Sequence, residues 1–315
     1  MIKFRVFVAV VLSVVASSQV AVGQNQPLGP RQQAAPQAQA YAPPGFPLDA
    51  AHQQWVDQIL AFWEQHSAKI QRYQCDFNRW EYDPVFGPAP NPQTGQDVAK
   101  TYSTGEIKYE SPDKGSFEVK TIQVYKATQA DGQPTYVARD DVAKEHWVCN
   151  GKSIFEFDYK NKQLKETELP PSMQGRAIVD GPLPFLFGAE AEKIKQRYWI
   201  RGVTPPDVQG QYWLEAIPKT RADAANFLKV LVILDQQQFL PLAMRVFPPN
   251  FHERNNRTMT AYQFQNREVN ASNITQNLLL WQRAFHDPPT PKGWQRVVNR
   301  HQPDVATNGQ ASQNR

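Results

Sequence analysis

The sequence predicts an α+β fold: a strongly curved antiparallel sheet, an open or half-closed barrel, with helices covering its concave face. Three observations predict it. Gly105 to Pro171 reads as a meander of short alternating strands joined by turns. Asp49 to Lys69 carries an apolar stripe at helical spacing. The second half continues as strands with one helical interruption, and no solenoid repeat is visible.

The meander sets the pattern. Ile107 and Tyr109 alternate with Glu106, Lys108 and Glu110, then Ser111–Gly115 turns the chain and Phe117 and Val119 resume the apolar face. Near Thr121 the alternation changes phase, to Ile122 and Val124, which predicts a β-bulge or sharp bend. Asn150-Gly151 is a two-residue hairpin signal, since both residues tolerate positive φ. Beyond it Phe155, Phe157 and Tyr159 alternate with Glu156 and Asp158, Tyr159–Lys162 turns, and Gln163–Leu169 returns as a polar strand. The result is a sheet with one charged face and one aromatic face, which protein or ligand must cover.

Upstream, Lys3 and Arg5 precede the apolar run Val6–Val15, and Ala21-Val-Gly23 offers small residues for cleavage before Gln24. Residues 1–23 therefore read as a signal peptide and place the chain in the periplasm. No later stretch approaches the ~18 apolar residues of a membrane span. Residues 24–46, rich in Gln, Pro and Ala, read as a disordered tether, 47–299 as one folded domain, and 300–315 as a disordered polar tail.

Asp49 is the expected N-cap of the helix, whose stripe is Trp55, Val56, Ile59, Leu60, Phe62 and Trp63. Tyr73–Tyr82 is a strand, Asp83–Gly95 a Pro/Gly-rich loop, and Ala189–Tyr198 a short helix. Tyr212–Ile217, Phe227–Leu234, Phe239–Phe247 and the alternation Thr258 to Phe264 complete the strands. Phe227–Leu234 is apolar on both faces apart from Lys229 and should be largely buried, while Pro241 argues for an edge or a bulge.

Composition excludes some functions. The net charge is +4, or +2 once Lys3 and Arg5 are removed, and no basic block occurs, so nucleic acid is not a partner. A monomer is expected. Ser111-x-x-Lys114 matches a serine-nucleophile signature but lies in a turn between strands, without a Lys-Thr-Gly triplet. His146 and His286-Asp287 lack zinc spacing, and no phosphate loop or nucleophile elbow is present. No catalytic residue, metal or cofactor is assigned. Cys75 and Cys149 are either a disulfide or two buried strand thiols; their strands are not neighbours, and a bridge needs Cα atoms within about 7 Å.

The order of motifs resembles the LolA-like periplasmic lipoprotein carriers, over about Trp55 to Val297. Those motifs are Tyr73–Phe77, Gly105–Pro112, Phe117–Val119, Val148–Phe157, Pro184–Gly188, Trp213–Lys219 and the closing Val269-Asn270, Phe285 and Pro291–Trp294. Within that superfamily it is similar to secreted planctomycete proteins carrying the domain. The resemblance implies a half-barrel that takes acyl chains of lipoproteins or other lipids, with membrane-protein donors and acceptors in the envelope. Tyr109, Phe117, Phe155 and Phe157 would line the cavity, with Phe185, Leu186 and Phe187 as an apolar lid. Ser111 stands where the carriers have a lid-locking Arg, so their gating does not transfer. Alternatives are an envelope sensor or interaction module built on the same half-barrel, and, last, a cryptic hydrolase. The aromatic side chains could equally be core packed against the helix.

Overall fold

The computed structural model describes residues 42–142, 144–171, 173–175, 185–186, 190–271, 281 and 283–301. The proposed signal peptide, most of the tether and nearly all of the tail lie outside these residues, as does Phe187. Helix α1 spans Ala50–Ser67, and the first seven strands are β1 Arg72–Tyr82, β2 Thr101–Glu110, β3 Lys114–Thr128, β4 Pro134–Ala138, β5 His146–Asn150, β6 Ser153–Asp158 and β7 Gln163–Glu168. After them come α2 Ala191–Arg197, β8 Tyr198–Gly202, β9 Gln211–Pro218, α3 Arg221–Ala224, β10 Lys229–Asp235, β11 Pro241–Phe247, β12 Met259–Val269 and β13 Gln295–Asn299.

All thirteen strands join one sheet, ordered β13-β7-β6-β5-β3-β2-β1-β12-β11-β10-β9-β8, with β4 attached to β3. The expected α+β half-barrel is corrected on three points. The described residues are mostly β, with α2 and α3 only 7 and 4 residues long. The sheet is open and not strongly curled, with β8 and β13 at the two ends of the strand order among the described residues. It is mixed rather than wholly antiparallel, since β13 returns to lie parallel to β7, with Gln295 opposite Gln163.

Alternation decides the central strands. In β1, Tyr73, Cys75, Phe77 and Arg79 are buried on one face while their neighbours are half-exposed. The phase change near Thr121 is a bulge: Thr104 pairs with Thr121 but Gly105 with Val119, leaving exposed Lys120 as the extra residue. Pro241 also marks a bulge, with the register of β10 and β11 shifting between Ile233 and Leu234, although β11 is an interior strand and not an edge. Val230 to Leu234 are buried without interruption. Outward Leu231 is flanked by Glu215, which Arg201 and Lys229 hold by ion pairs, and by Arg245, whose guanidinium lies over Trp213.

Asp49 caps α1, accepting from the His52 amide at 2.9 Å. Val56, Ile59, Leu60 and Trp63 are buried against the sheet. Phe62 is not part of that stripe; it is exposed and tilts against Phe239, with ring centroids 5.8 Å apart. The turn after β5 falls one residue later than Asn150-Gly151. Cys149 pairs with Ile154, so Gly151-Lys152 is the loop, and Asn150 Oδ1 accepts from the Lys152 and Ser153 amides. Only Gly151 there has positive φ, the pattern of a II′ rather than an I′ turn.

Candidate functional site

The face of the sheet that meets α1 carries the main apolar cluster, and directly paired residues must share a face. Phe77 on β1 and Phe117 on β3 stack at 4.8 Å although β2 runs between them. Gly105 makes that contact possible: a Cβ there would sit 2.3 Å from the Phe77 ring and 2.2 Å from the Glu118 carbonyl oxygen. Phe117 also stacks on Trp147 at 6.0 Å, and Phe77 meets Tyr262 edge-on at 5.9 Å. Tyr109 is buried in the same cluster, and burial raises its phenol above the ordinary pKa.

Phe185 and Leu186 enter this cluster from outside the helices and strands. Both are buried, and the Phe185 ring packs on Tyr198 at 4.9 Å, which in turn stacks on Phe227. Four of the residues expected to line a cavity, Tyr109, Phe117, Phe185 and Leu186, therefore converge in one packed interior.

Phe155 and Phe157 do not join them. Phe117 pairs with Trp147, and Trp147 with Glu156, so Glu156 shares the inner face and its neighbours Phe155 and Phe157 point to the opposite side. There Phe155 is buried with Val148 and Leu164, beneath the Arg296 guanidinium. Phe157 lies at the rim, stacked on His146 at 4.0 Å and met edge-on by Trp294 at 6.4 Å. The single aromatic face expected from the sequence is two faces. The even-length β5–β6 loop inverts the side-chain parity between the strands.

One part of the inner face is polar, and the sequence reading missed it. Arg79, with its side chain 4% exposed, donates to Glu145 Oε2 at 2.7 Å and lies 3.9 Å from Glu81. Burial opposes its charge, but Glu145, Tyr262 and Glu81 hold its pKa above the ordinary value. The Glu145 pKa is raised as well, by burial, which for a carboxyl favours the neutral acid. Beside Arg79, Ser103 is buried with no partner for its hydroxyl among the described residues. The signal was a charged residue in the inward register of β1, at a position where Tyr73, Cys75 and Phe77 predict another apolar side chain.

Cys75 and Cys149 are free, buried thiols. Their strands β1 and β5 are three steps apart in the sheet, roughly 14 Å at the usual spacing and beyond disulfide reach. Burial pushes them up to about 12 and about 11, so neither is a nucleophile near neutral pH. Among the described residues no three His, Cys, Asp or Glu side chains gather as a metal site, and no helix is long and apolar enough to cross a membrane.

No family model and no curated protein matches the chain. Among solved structures it is similar to a putative outer membrane lipoprotein-sorting protein domain from Vibrio parahaemolyticus, with 13% identity, 72% of this chain and 100% of that one covered, and a TM-score of 0.27. It is similar to a LolA superfamily protein from Nitrosomonas europaea at 9% identity, covering 70% and 96% of the two chains, TM-score 0.30. It is also similar to a chain in the MucA/MucB complex of Pseudomonas aeruginosa, at 14% identity over 69% of this chain and 57% of that one, TM-score 0.32. Likenesses at these identities and TM-scores carry no argument about family or about what the protein binds.

Proposed function

We propose that this protein is an exported binder of apolar chains, such as the acyl chains of lipoproteins or other lipids, which it takes up by displacing Phe185 and Leu186 from the inner cluster. The observation that supports this is the convergence of Tyr109, Phe117, Phe185 and Leu186, with the last two lying outside the named helices and strands. The energies favour such an exchange. Exposing one Phe and one Leu costs about 3–6 kcal/mol, whereas burying about ten methylenes offers roughly 8 kcal/mol before ordering costs. Passage between a membrane-protein donor and acceptor would be the carrier form of this activity.

A second reading, an envelope interaction module without lipid transport, is favoured by the same interior in another respect: its aromatic rings already pack on one another. Titration with a fluorescent fatty acid separates the two readings. The wild-type protein should bind saturably in the micromolar range, and Phe185→Ala/Leu186→Ala should bind more tightly, because the ligand no longer competes with two resident side chains. No saturable binding by either protein, with both folded by circular dichroism, would transfer the function to the interaction module.

A further inference from the structure

We propose that Val85 and Phe86 form a docking tip for a lipid bilayer surface. These adjacent residues are 65% and 75% exposed, and both lie in the loop between β1 and β2. The loop is built to present them. Asp83 Oδ1 accepts from the Val85 amide at 3.1 Å and the Phe86 amide at 2.9 Å, and the Gly87 amide donates to the Asp83 carbonyl at 2.7 Å. A Cβ at 87 would sit 2.3 Å from that carbonyl oxygen, so glycine is required to close the turn. Pro84, Pro88, Pro90 and Pro92 restrict the flanking backbone. Farther along, Asn91 Nδ2 donates to the Gly132 carbonyl at 2.6 Å, fastening the loop to the β3–β4 turn. The two side chains are therefore held outward at little further entropic cost.

Area and charge point to lipid. Two such side chains offer at most a few hundred Å² of apolar surface, well short of the ~800 Å² per partner of a stable protein interface. Insertion at the boundary of headgroups and acyl chains needs no shape complementarity. The carboxylates of the loop, Asp83 and Asp97, are each in an ion pair, with Lys100 at 2.9 Å and Arg257 at 2.7 Å. Lys100 Nζ also lies 5.7 Å from the centre of the Phe86 ring, placing a cation beside the tip where lipid phosphates would lie. Docking by this tip does not depend on whether the interior takes a ligand.

Because both native cysteines are buried, a cysteine introduced at the tip is the selective site for a probe. Full-length Val85→Cys, and as a control Gln237→Cys in the exposed β10–β11 turn, are labelled with the environment-sensitive dye NBD. Each is mixed with vesicles of phosphatidylcholine alone or with phosphatidylglycerol. The label at 85 should brighten, shift to the blue and resist an aqueous quencher, while the label at 237 should not. Adding Phe86→Ser should weaken the response at 85 about tenfold in vesicle concentration. A label at 85 that responds no more than the control, or a response indifferent to Phe86→Ser, overturns the proposal. A response to lipid-free envelope proteins but not to vesicles assigns the tip to a protein partner and overturns it as well.

Discussion

The two faces of the sheet near β5 and β6 differ in what each asks of its aromatic residues. On the inner face Phe77, Phe117 and Trp147 stack in a row across four strands and merge with the helix into one large cluster. On the outer face Phe155 belongs to a small cluster whose other buried members among the described residues are Val148 and Leu164, with Phe157 at its rim. Residues of one type in one hairpin region therefore serve two unconnected apolar groups. The face, and not the residue type, decides whether an aromatic side chain can border the interior.

The largest expected effect tests that division directly. Phe117→Ala should cost about 3–5 kcal/mol, whereas Phe157→Ala should cost about 1 kcal/mol, both read from urea denaturation midpoints. Equal losses would mean that the rim of the outer cluster supports the sheet as much as the inner row does. Phe157→Glu sharpens the same comparison, because a charge on the outer face should leave binding of a fluorescent fatty acid unchanged.

A middle-sized effect concerns the polar part of the inner face. Glu145→Gln deprives buried Arg79 of its charged partner at 2.7 Å and should cost about 2–3 kcal/mol, below the full value for a broken buried pair because Glu145 is partly exposed. Arg79→Met combined with Glu145→Gln should recover part of that loss. A double variant less stable than the single one would show that Arg79 contributes through packing and not through its charge.

A pH-dependent effect, confined to acid, is at the β6–β7 turn. Burial alone would raise the Asp158 carboxyl, but Lys165 at 2.6 Å and Asn161 outweigh it and hold the pKa at about 2. The folded value lies below the unfolded one, so the stabilisation is present above about pH 4 and lost as pH falls toward 2. Its size is about 2 kcal/mol. Asp158→Asn should flatten that part of the acid denaturation curve, and an unchanged curve would remove the turn from the account.

Much of the fold was legible in the sequence because it rests on local pattern. The phase change at Thr121 located the Lys120 bulge, Pro241 located a second, and the unbroken apolar run before Asp235 located the doubly buried β10. The placement of Phe155 and Phe157 was legible too, since a two-residue loop inverts parity, but shared aromaticity suggested a shared face. The partner of Arg79 was not legible, because Glu145 lies 66 positions away in a connection without periodicity. Nor was the parallel pairing of β13 with β7, which Arg296 fastens by an ion pair to Glu166 at 2.7 Å, 130 positions away.

The strand order also has a kinetic meaning. β1 pairs with β2 on one side and with β12 on the other, and the Gln74–Glu268 contact joins positions 194 apart. In a chain emerging N-terminus first, at roughly 5–20 residues per second, one edge of β1 waits about 10–40 s for its partner. During that interval the centre of the finished sheet is an unpaired edge, open to pairing with another chain. The pairing of β1 with β12 is the more distant of two long closures, the other being β13 on β7, and slow, concentration-sensitive refolding is its expected signature.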